Sequence, residues 1–232
     1  KNTKRIRVVS GSKFPSPKST RWPPAHVLTE RPIMERIRLA SDCTLYPIDK
    51  NTDLSSFCCG DEDLDDFFRN DAYLYSAQLL GKSYIAVTNT ESPQIACAFT
   101  LSNDSIKSTM IPKSSRNRLE RKVPNAKHTR TYPALLIGRL GVNGQFQRSG
   151  LHLGSQVIDY LISWFIHPDN KTGCRFMVVD AYNRPETINF YQKNGFRFLY
   201  SDENLEKEAF RVDSSQSLNT RMMYLDLIDF VS

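Results

Sequence analysis

No stretch of this 232-residue sequence approaches the roughly 18 consecutive apolar residues that a membrane-spanning helix needs. The N-terminal region is basic but lacks the apolar segment and small-residue cleavage site of a secretory signal. Cysteine is sparse, with five residues and no C-x-x-C pair, and the four histidines are not near suitable cysteines at zinc-ligand spacing. These absences predict a cytoplasmic protein with no membrane association and no metal site.

Three common signatures of nucleotide binding and nucleophilic catalysis are also missing. There is no G-x-x-x-x-G-K-[ST] phosphate loop, no G-x-G-x-x-G after a first strand, and no G-x-S-x-G elbow. The sequence therefore offers no support for a P-loop enzyme, a dinucleotide-binding fold or an α/β-hydrolase.

Positive charge is concentrated in two segments. Residues 1–33 carry eight lysines and arginines against one glutamate, residues 107–130 carry the same numbers, and the whole chain has a net charge of only +6. We interpret residues 1–33, with their prolines and serines, as a flexible basic tail or a non-native extension, and 34–232 as one domain. Residues 107–130 lack clear periodicity and are predicted to be a long basic loop, either functional or simply solvated.

Hydrophobic periodicity and turn residues predict a mixed order of strands and helices. The predicted helices cover residues 61–81, 154–165 and 183–195. The predicted strands cover residues 34–48, 83–88, 94–102, 134–142, 174–181, 196–200 and 220–227, and residues 201–217 are predicted to be an irregular polar stretch. This order indicates an α/β protein with two strand-helix-strand units late in the chain.

The stretch "RLGVNGQFQRSGLHLGSQVIDYL" (139–161) joins a predicted strand to a predicted helix through a glycine-rich turn. The first amides of a helix have no acceptor within the helix and point outward, and glycine lets the backbone approach a ligand closely. The stretch therefore predicts a binding site for a phosphate group.

Two motifs resemble the GCN5-related N-acetyltransferase (GNAT) superfamily. "GRLGVNGQFQRSGLHLGSQVIDYL" is similar to its acetyl-coenzyme A motif, and "DAYNRPETINFYQKNGF" to its closing motif. Two further segments, "FCCGDEDLDDFF" (57–68) and "IGRLGV", resemble the toxin-type acetyltransferases of bacterial toxin and antitoxin pairs. The resemblance covers roughly residues 42–227. It implies a mixed, partly splayed sheet of six or seven strands, with helices on both faces.

The resemblance also assigns site residues. It implies that Tyr191 protonates the departing thiolate, that Asn183 binds the pantetheine arm, and that the backbone around Gly141 contacts the pantetheine and the thioester oxygen. The full set implied for acetyl-coenzyme A binding is Leu140, Gly141, Val142, Gln147, Arg148, Ser149, Gly150, Leu151, His152, Leu153, Gly154 and Asn183. No residue is assigned as the general base.

The register of the pyrophosphate turn has two readings. If Gln147 is its first residue, His152 stands where the family has glycine or alanine. If the helix anchors the alignment instead, His152-Leu153-Gly154 matches the Gly-x-Gly and the turn is two residues longer. Arg148 is able to pair with a phosphate in both.

The function implied is transfer of an acetyl group from acetyl-coenzyme A, a cosubstrate, to an amine. The toxin-type motifs favour the amino group of aminoacyl-tRNA, with the basic segment 107–130 as the tRNA contact. A small-molecule or protein amine is the alternative acceptor, and a non-catalytic module that binds coenzyme A or nucleic acid is an alternative of another class. An antitoxin partner and a homodimer stay open.

Overall fold

The computed structural model describes residues 37–124, 131–147 and 150–231. Seven strands form one sheet in the order β1-β2-β3-β4-β5-β7-β6. The strands are β1 (Cys43–Pro47), β2 (Lys82–Thr88), β3 (Ile95–Lys107), β4 (Thr131–Val142), β5 (Phe176–Tyr182), β6 (Arg197–Phe198) and β7 (Thr220–Asp226). Among the strands in these described ranges, β4 and β5 are the only pair that runs parallel. The sheet is mixed, as the sequence predicts, whereas the predicted tail 1–33 lies outside the described residues.

Seven α-helices accompany the sheet in the described part of the chain. They are α1 (Leu39–Asp42), α2 (Glu62–Asp66), α3 (Ala72–Ala77), α4 (Lys113–Glu120), α5 (Leu153–Ile166), α6 (Pro185–Lys193) and α7 (Glu203–Phe210). Helix α5 connects the parallel strands β4 and β5, the kind of crossover that parallel pairing requires. None of the helices found here has the length and apolar character needed to cross a bilayer.

The core divides into three hydrophobic clusters. The largest packs α1, α5 and α6 against one face of the sheet, which we call the α5 face. On the opposite face, one cluster lies under α2 and α3, and a second lies under α4 and α7. The opposite face is therefore covered at both ends by separate groups of helices.

The prediction of a loop over 107–130 is wrong for most of that segment. Strand β3 continues to Lys107, a 3-10 turn covers Ser108–Met110, and α4 follows. Ser115 and Leu119 are the buried positions of α4. With a single large apolar side chain in eight residues, the helix has almost no hydrophobic pattern to detect. Residues 125–130 lie outside the described part of the chain.

The predicted helix over 61–81 is interrupted and shorter. Between α2 and α3 lies a π-helical turn, Phe67–Asp71, and α3 ends at Ala77. Leu79, inside the predicted helix, lies beyond the end of α3, where it is 89% exposed and has a left-handed φ of 59°. The extra residue of the π turn rotates the later side chains away from the 3.6-residue pattern.

Two further predictions differ from the structure at their ends. Residues 34–48 were predicted as one strand, but α1 precedes β1 within this segment. Residues 201–217 were predicted to be irregular, yet they contain α7, whose Glu206 is buried. The carboxylate of Glu206 accepts hydrogen bonds from Arg221 Nε and the Met222 amide, both at 2.6 Å. A buried charge with its partner on β7 gives α7 a polar sequence despite its packed position.

Candidate active site

Strand β4 contains a β-bulge next to the predicted coenzyme residues. Leu101 and Thr100 of β3 pair with Ile137 and Arg139, which leaves Gly138 as the extra residue. Because side chains alternate along a strand, one extra residue exchanges the two faces of everything that follows. Arg139 is thereby directed to the face opposite α5, where its guanidinium lies 3.9 Å from the ring centre of Phe67.

The sheet opens between β4 and β5. Their pairing ends at Leu136 and Val178, although β4 continues to Val142 and β5 to Tyr182. The edge of β4 that includes Leu140, Gly141 and Val142 therefore has a strand partner on the β3 side only. Unpaired backbone amides and carbonyls inside a sheet are the groups that an extended, amide-containing ligand can satisfy. This opening is the partial splaying of the sheet that the family resemblance implies. It begins where the pairing of β4 and β5 ends.

The turn after β4 is held by a side chain. The amide of Gln147 donates hydrogen bonds to the carbonyl oxygens of Cys59, at 2.6 Å, and Val142, at 2.7 Å. Gln147 therefore fixes the turn against the end of β4 and the segment before α2. Arg148 and Ser149 lie outside the described residues, so their predicted contacts stay predictions.

Helix α5 begins directly behind this turn. Gly150 has a φ of 74°, and His152, the residue before the helix, has a φ of 50° and a side chain that makes no cap hydrogen bond to the first amides of α5. A Cβ on Gly154 would lie 3.0 Å from the Phe190 ring. His152 thus adopts a glycine-type backbone conformation before the helix, and Gly154 makes a glycine-type contact within it. The uncapped amides leave the N-terminus of α5 suited to an anion.

Sequence reasoning missed Gln156, which ties this turn to the start of the described chain. Its Nε2 donates to the carbonyl oxygens of Leu151, at 2.7 Å, and Ile37, at 3.1 Å. Its Oε1 accepts from the Leu39 amide at 2.7 Å. Because two of these partners are more than a hundred residues away in sequence, no local pattern could have revealed them. The buried side chains of Leu151 and Leu153 anchor the same turn in the core.

Tyr191 lies on α6, within the same hydrophobic cluster as Val142 and the first turns of α5. Its ring makes edge contacts with Phe190 and Phe196, with centroids 5.0 and 5.2 Å away. Burial raises the pKa of Tyr191. Its hydroxyl has no hydrogen-bond partner among the residues described. Tyr191 is therefore a protonated phenol with an uncommitted O–H, as a proton donor requires.

Asn183 follows β5 and connects two chain segments. Its Nδ2 donates to the Leu218 carbonyl oxygen at 3.0 Å, and its backbone amide donates to Asn219 at 2.8 Å. The Nδ2 group is thus already engaged in holding the segment that leads into β7. The predicted contact with pantetheine remains a prediction, to be made by the Oδ1 or by the main chain.

On the opposite face of the sheet, polar side chains lie between the two hydrophobic clusters, where β4 and β5 separate. We call this place the polar opening. The Tyr182 hydroxyl donates to Asp63 at 3.0 Å, and Asp180 lies beside it on β5. The Nε of Arg139 is buried there without an acceptor among the described residues. Burial, and then the nearby carboxylate of Asp104, raise the pKa of Asp180. These polar groups lie on the face that α5 and α6 leave uncovered.

Basic helix α4 borders this face. Leu136, the last residue of β4 that pairs with β5, packs against the cluster that contains Leu119 of α4. Arg118 donates to the Phe198 carbonyl oxygen at 2.7 Å, whereas Lys113 and Arg121 are exposed. The helix therefore sets positive charge beside the end of the strand pairing.

The chain thus has an α/β fold in which a parallel strand pair opens in front of an uncapped helix N-terminus. No protein-family model and no curated protein matches the chain. Solved structures do match. AtaT complexed with acetyl-methionyl-tRNAfMet has a TM-score of 0.58 at 20% identity, over 82% of this chain and 98% of that one.

A variant of KacT with tyrosine replaced by phenylalanine gives a TM-score of 0.57 at 19% identity, again over 82% and 98% of the two chains. AtaTR bound with acetyl-coenzyme A gives 0.55 at 20%, over 82% and 96%. The chain thus has the fold of the GNAT-type toxin acetyltransferases, and the predicted fold class is confirmed.

Proposed function

We propose that the protein is an N-acetyltransferase that uses acetyl-coenzyme A. The observation that carries the proposal is the convergence of the open β4 edge, the uncapped N-terminus of α5 and the Tyr191 phenol. Each of these serves a different part of one long ligand. A pyrophosphate suits the amides between Gly150 and Gly154, and an amide-linked arm suits the unpaired edge at Leu140–Val142.

The residues of the chain then have separate tasks. Acetyl-coenzyme A supplies the activated acetyl group. Backbone amides around Gly141 polarise the thioester carbonyl, as oxyanion-binding amides do in other acyl transfers. Tyr191 donates its proton to the departing sulfur, whose reference pKa near 8.5 makes protonation favourable at neutral pH.

We propose the amino group of an aminoacyl-tRNA as the acceptor. Positive charge on α4, beside the polar opening, favours the binding of a polyanion that carries an amine at one end. The AtaT complex with acetyl-methionyl-tRNAfMet concerns a protein of the same fold. An antitoxin partner and a cytoplasmic location belong to the same proposal, and AtaT has been solved with the C-terminus of the antitoxin AtaR.

A small cationic amine is the second candidate acceptor. The carboxylates of Asp63 and Asp180 at the opening would attract any ammonium group, with or without a nucleic acid attached. A protein amine belongs to the same alternative. A module that binds coenzyme A without turnover would have no use for the uncommitted Tyr191 hydroxyl.

Labelled acetyl-coenzyme A distinguishes these acceptors. The protein is incubated with charged tRNA, with the same tRNA after deacylation, with polyamines, and with a protein lysate. We expect label on charged tRNA and none on the deacylated control. Label on polyamines or proteins alone would support the second candidate, and no transfer to any acceptor would contradict the proposed enzyme class.

A further inference from the structure

Asp180 lies at the mouth of the opening between β4 and β5. It is two residues beyond Val178, the last residue of β5 that pairs with β4, and it pairs with Met222 of β7 on its other side. Its neighbours Val179 and Ala181 are buried in the cluster on the α5 face. Since side chains alternate along a strand, Asp180 projects to the opposite face, where the second substrate would approach.

Asp180 differs from the other carboxylates around it in having no partner. Asp63 accepts a hydrogen bond from the Tyr182 hydroxyl at 3.0 Å, and Asp104 accepts one from the backbone amide of the next residue at 2.6 Å. Within the described ranges, Asp180 makes no hydrogen bond and no ion pair, and it is accessible to solvent. A carboxylate that no protein group satisfies is free to receive a hydrogen-bond donor from a substrate.

An amine acceptor presents such a donor and needs such a base. At neutral pH part of an α-amine is an ammonium ion, and the nitrogen must lose a proton before it can attack a carbonyl. We infer that Asp180 binds this ammonium group and accepts its proton, on the face opposite Tyr191. The inference rests on the proposed acetyl transfer, for which sequence reasoning assigned no base.

The charges facing Asp180 fit this role. Asp104 on β3 is the charged group that acts on Asp180, and Asp63 on α2 and Arg139 on β4 lie around Tyr182, a phenol two residues along the same strand. Partial burial and Asp104 raise the pKa of Asp180, and a carboxylate of raised pKa is a stronger base.

The proton balance is complete with two side chains. The ammonium nitrogen gives one proton to the Asp180 carboxylate, which passes it to water, and the freed lone pair forms the new N–C bond. The C–S bond breaks, and the sulfur takes the proton of Tyr191. The new amide nitrogen loses its second proton to solvent, and water returns a proton to Tyr191, so the net products are the amide, the free thiol and one proton.

The test compares Asp180→Asn with Asp66→Asn, an exposed carboxylate of α2 on the same face of the sheet that already accepts a hydrogen bond from Asn70. Transfer rates are measured from pH 6 to 10 with the amine that the wild-type protein acetylates, and acetyl-coenzyme A affinity is measured separately. We expect Asp180→Asn to lower kcat/KM about 100-fold near pH 7, as loss of a general base does. The deficit should shrink above the α-amine pKa of about 8, where the free amine needs no base. Acetyl-coenzyme A affinity should not change, and Asp66→Asn should stay within about threefold of the wild-type rate.

Two outcomes would overturn the inference while leaving the enzyme class intact. One is a wild-type protein that transfers acetyl groups while Asp180→Asn keeps its rate within threefold. The other is a deficit that is equal at every pH and accompanied by weaker acetyl-coenzyme A binding, which would indicate a structural role. A wild-type protein that acetylates no amine contradicts both the inference and the proposed function.

Discussion

Replacing Tyr191 with phenylalanine removes one oxygen atom from a ring packed between Phe190 and Phe196. The hydroxyl has no hydrogen-bond partner in the described part of the chain, so no bond is lost. The free energy of unfolding should therefore change by less than about 0.5 kcal/mol, with stabilisation as the favoured sign.

The catalytic effect should be much larger. If a sulfur with a pKa near 8.5 leaves as the thiolate at pH 7, the step forgoes the free energy of protonating it, about 2 kcal/mol. The step is then roughly 30-fold slower. Loss of a positioned proton donor costs up to about 10³-fold in total, this minimum included, when transfer is concerted. We therefore expect kcat to fall between about 30-fold and 10³-fold, with unchanged affinity for acetyl-coenzyme A.

The assay follows release of the free thiol with a chromogenic reagent, and calorimetry gives the coenzyme affinity. Tyr200→Phe is the matched control, because Tyr200 is also buried but lies in the cluster under α4 and α7. It should retain full activity. A Tyr191→Phe protein with more than one third of the wild-type kcat would refute the reasoning, and so would an activity loss that parallels a fall in Tm.

Three further predictions concern stability and substrate binding. Glu206→Ala leaves the buried Arg221 without its closest counter-charge and should lower the free energy of unfolding by about 3–5 kcal/mol in urea titrations. Lys113→Ala combined with Arg121→Ala should raise KM for charged tRNA but not for a small amine, and should flatten the salt dependence by roughly 0.7 per lost phosphate contact. His152→Gly should stabilise the protein by about 0.5 kcal/mol by relieving the left-handed backbone, with acetyl-coenzyme A affinity within twofold; a destabilised variant would contradict this.

The strongest sequence predictions were those with a local physical signal. Helices α5 and α6 have apolar side chains at helical spacing, and Pro185 and Gly195 mark the ends of α6. The long apolar runs of β3 and β5 read as strands for the same reason. Two linked motifs around Gly150 and Tyr191 then identified the fold class, which the solved structures confirm.

Other features depend on contacts between residues distant in sequence. Helix α7 reads as a polar loop because its buried face carries Glu206, whose partners are on β7. The bulge at Gly138 and the position at which β4 and β5 separate are set by strand register, which no single strand encodes. The free carboxylate of Asp180 is recognisable only when its neighbours are seen to have partners of their own.

The central claim is that the β4 opening and the N-terminus of α5 hold one acetyl-coenzyme A molecule, and a crystal structure of the complex tests it most directly. We predict that the pyrophosphate lies within hydrogen-bonding distance of the amides between Gly150 and Gly154. We also predict that the thioester lies between β4 and β5, with its sulfur next to the Tyr191 hydroxyl. Coenzyme bound elsewhere on the protein, with the first turn of α5 free of phosphate, would contradict this claim.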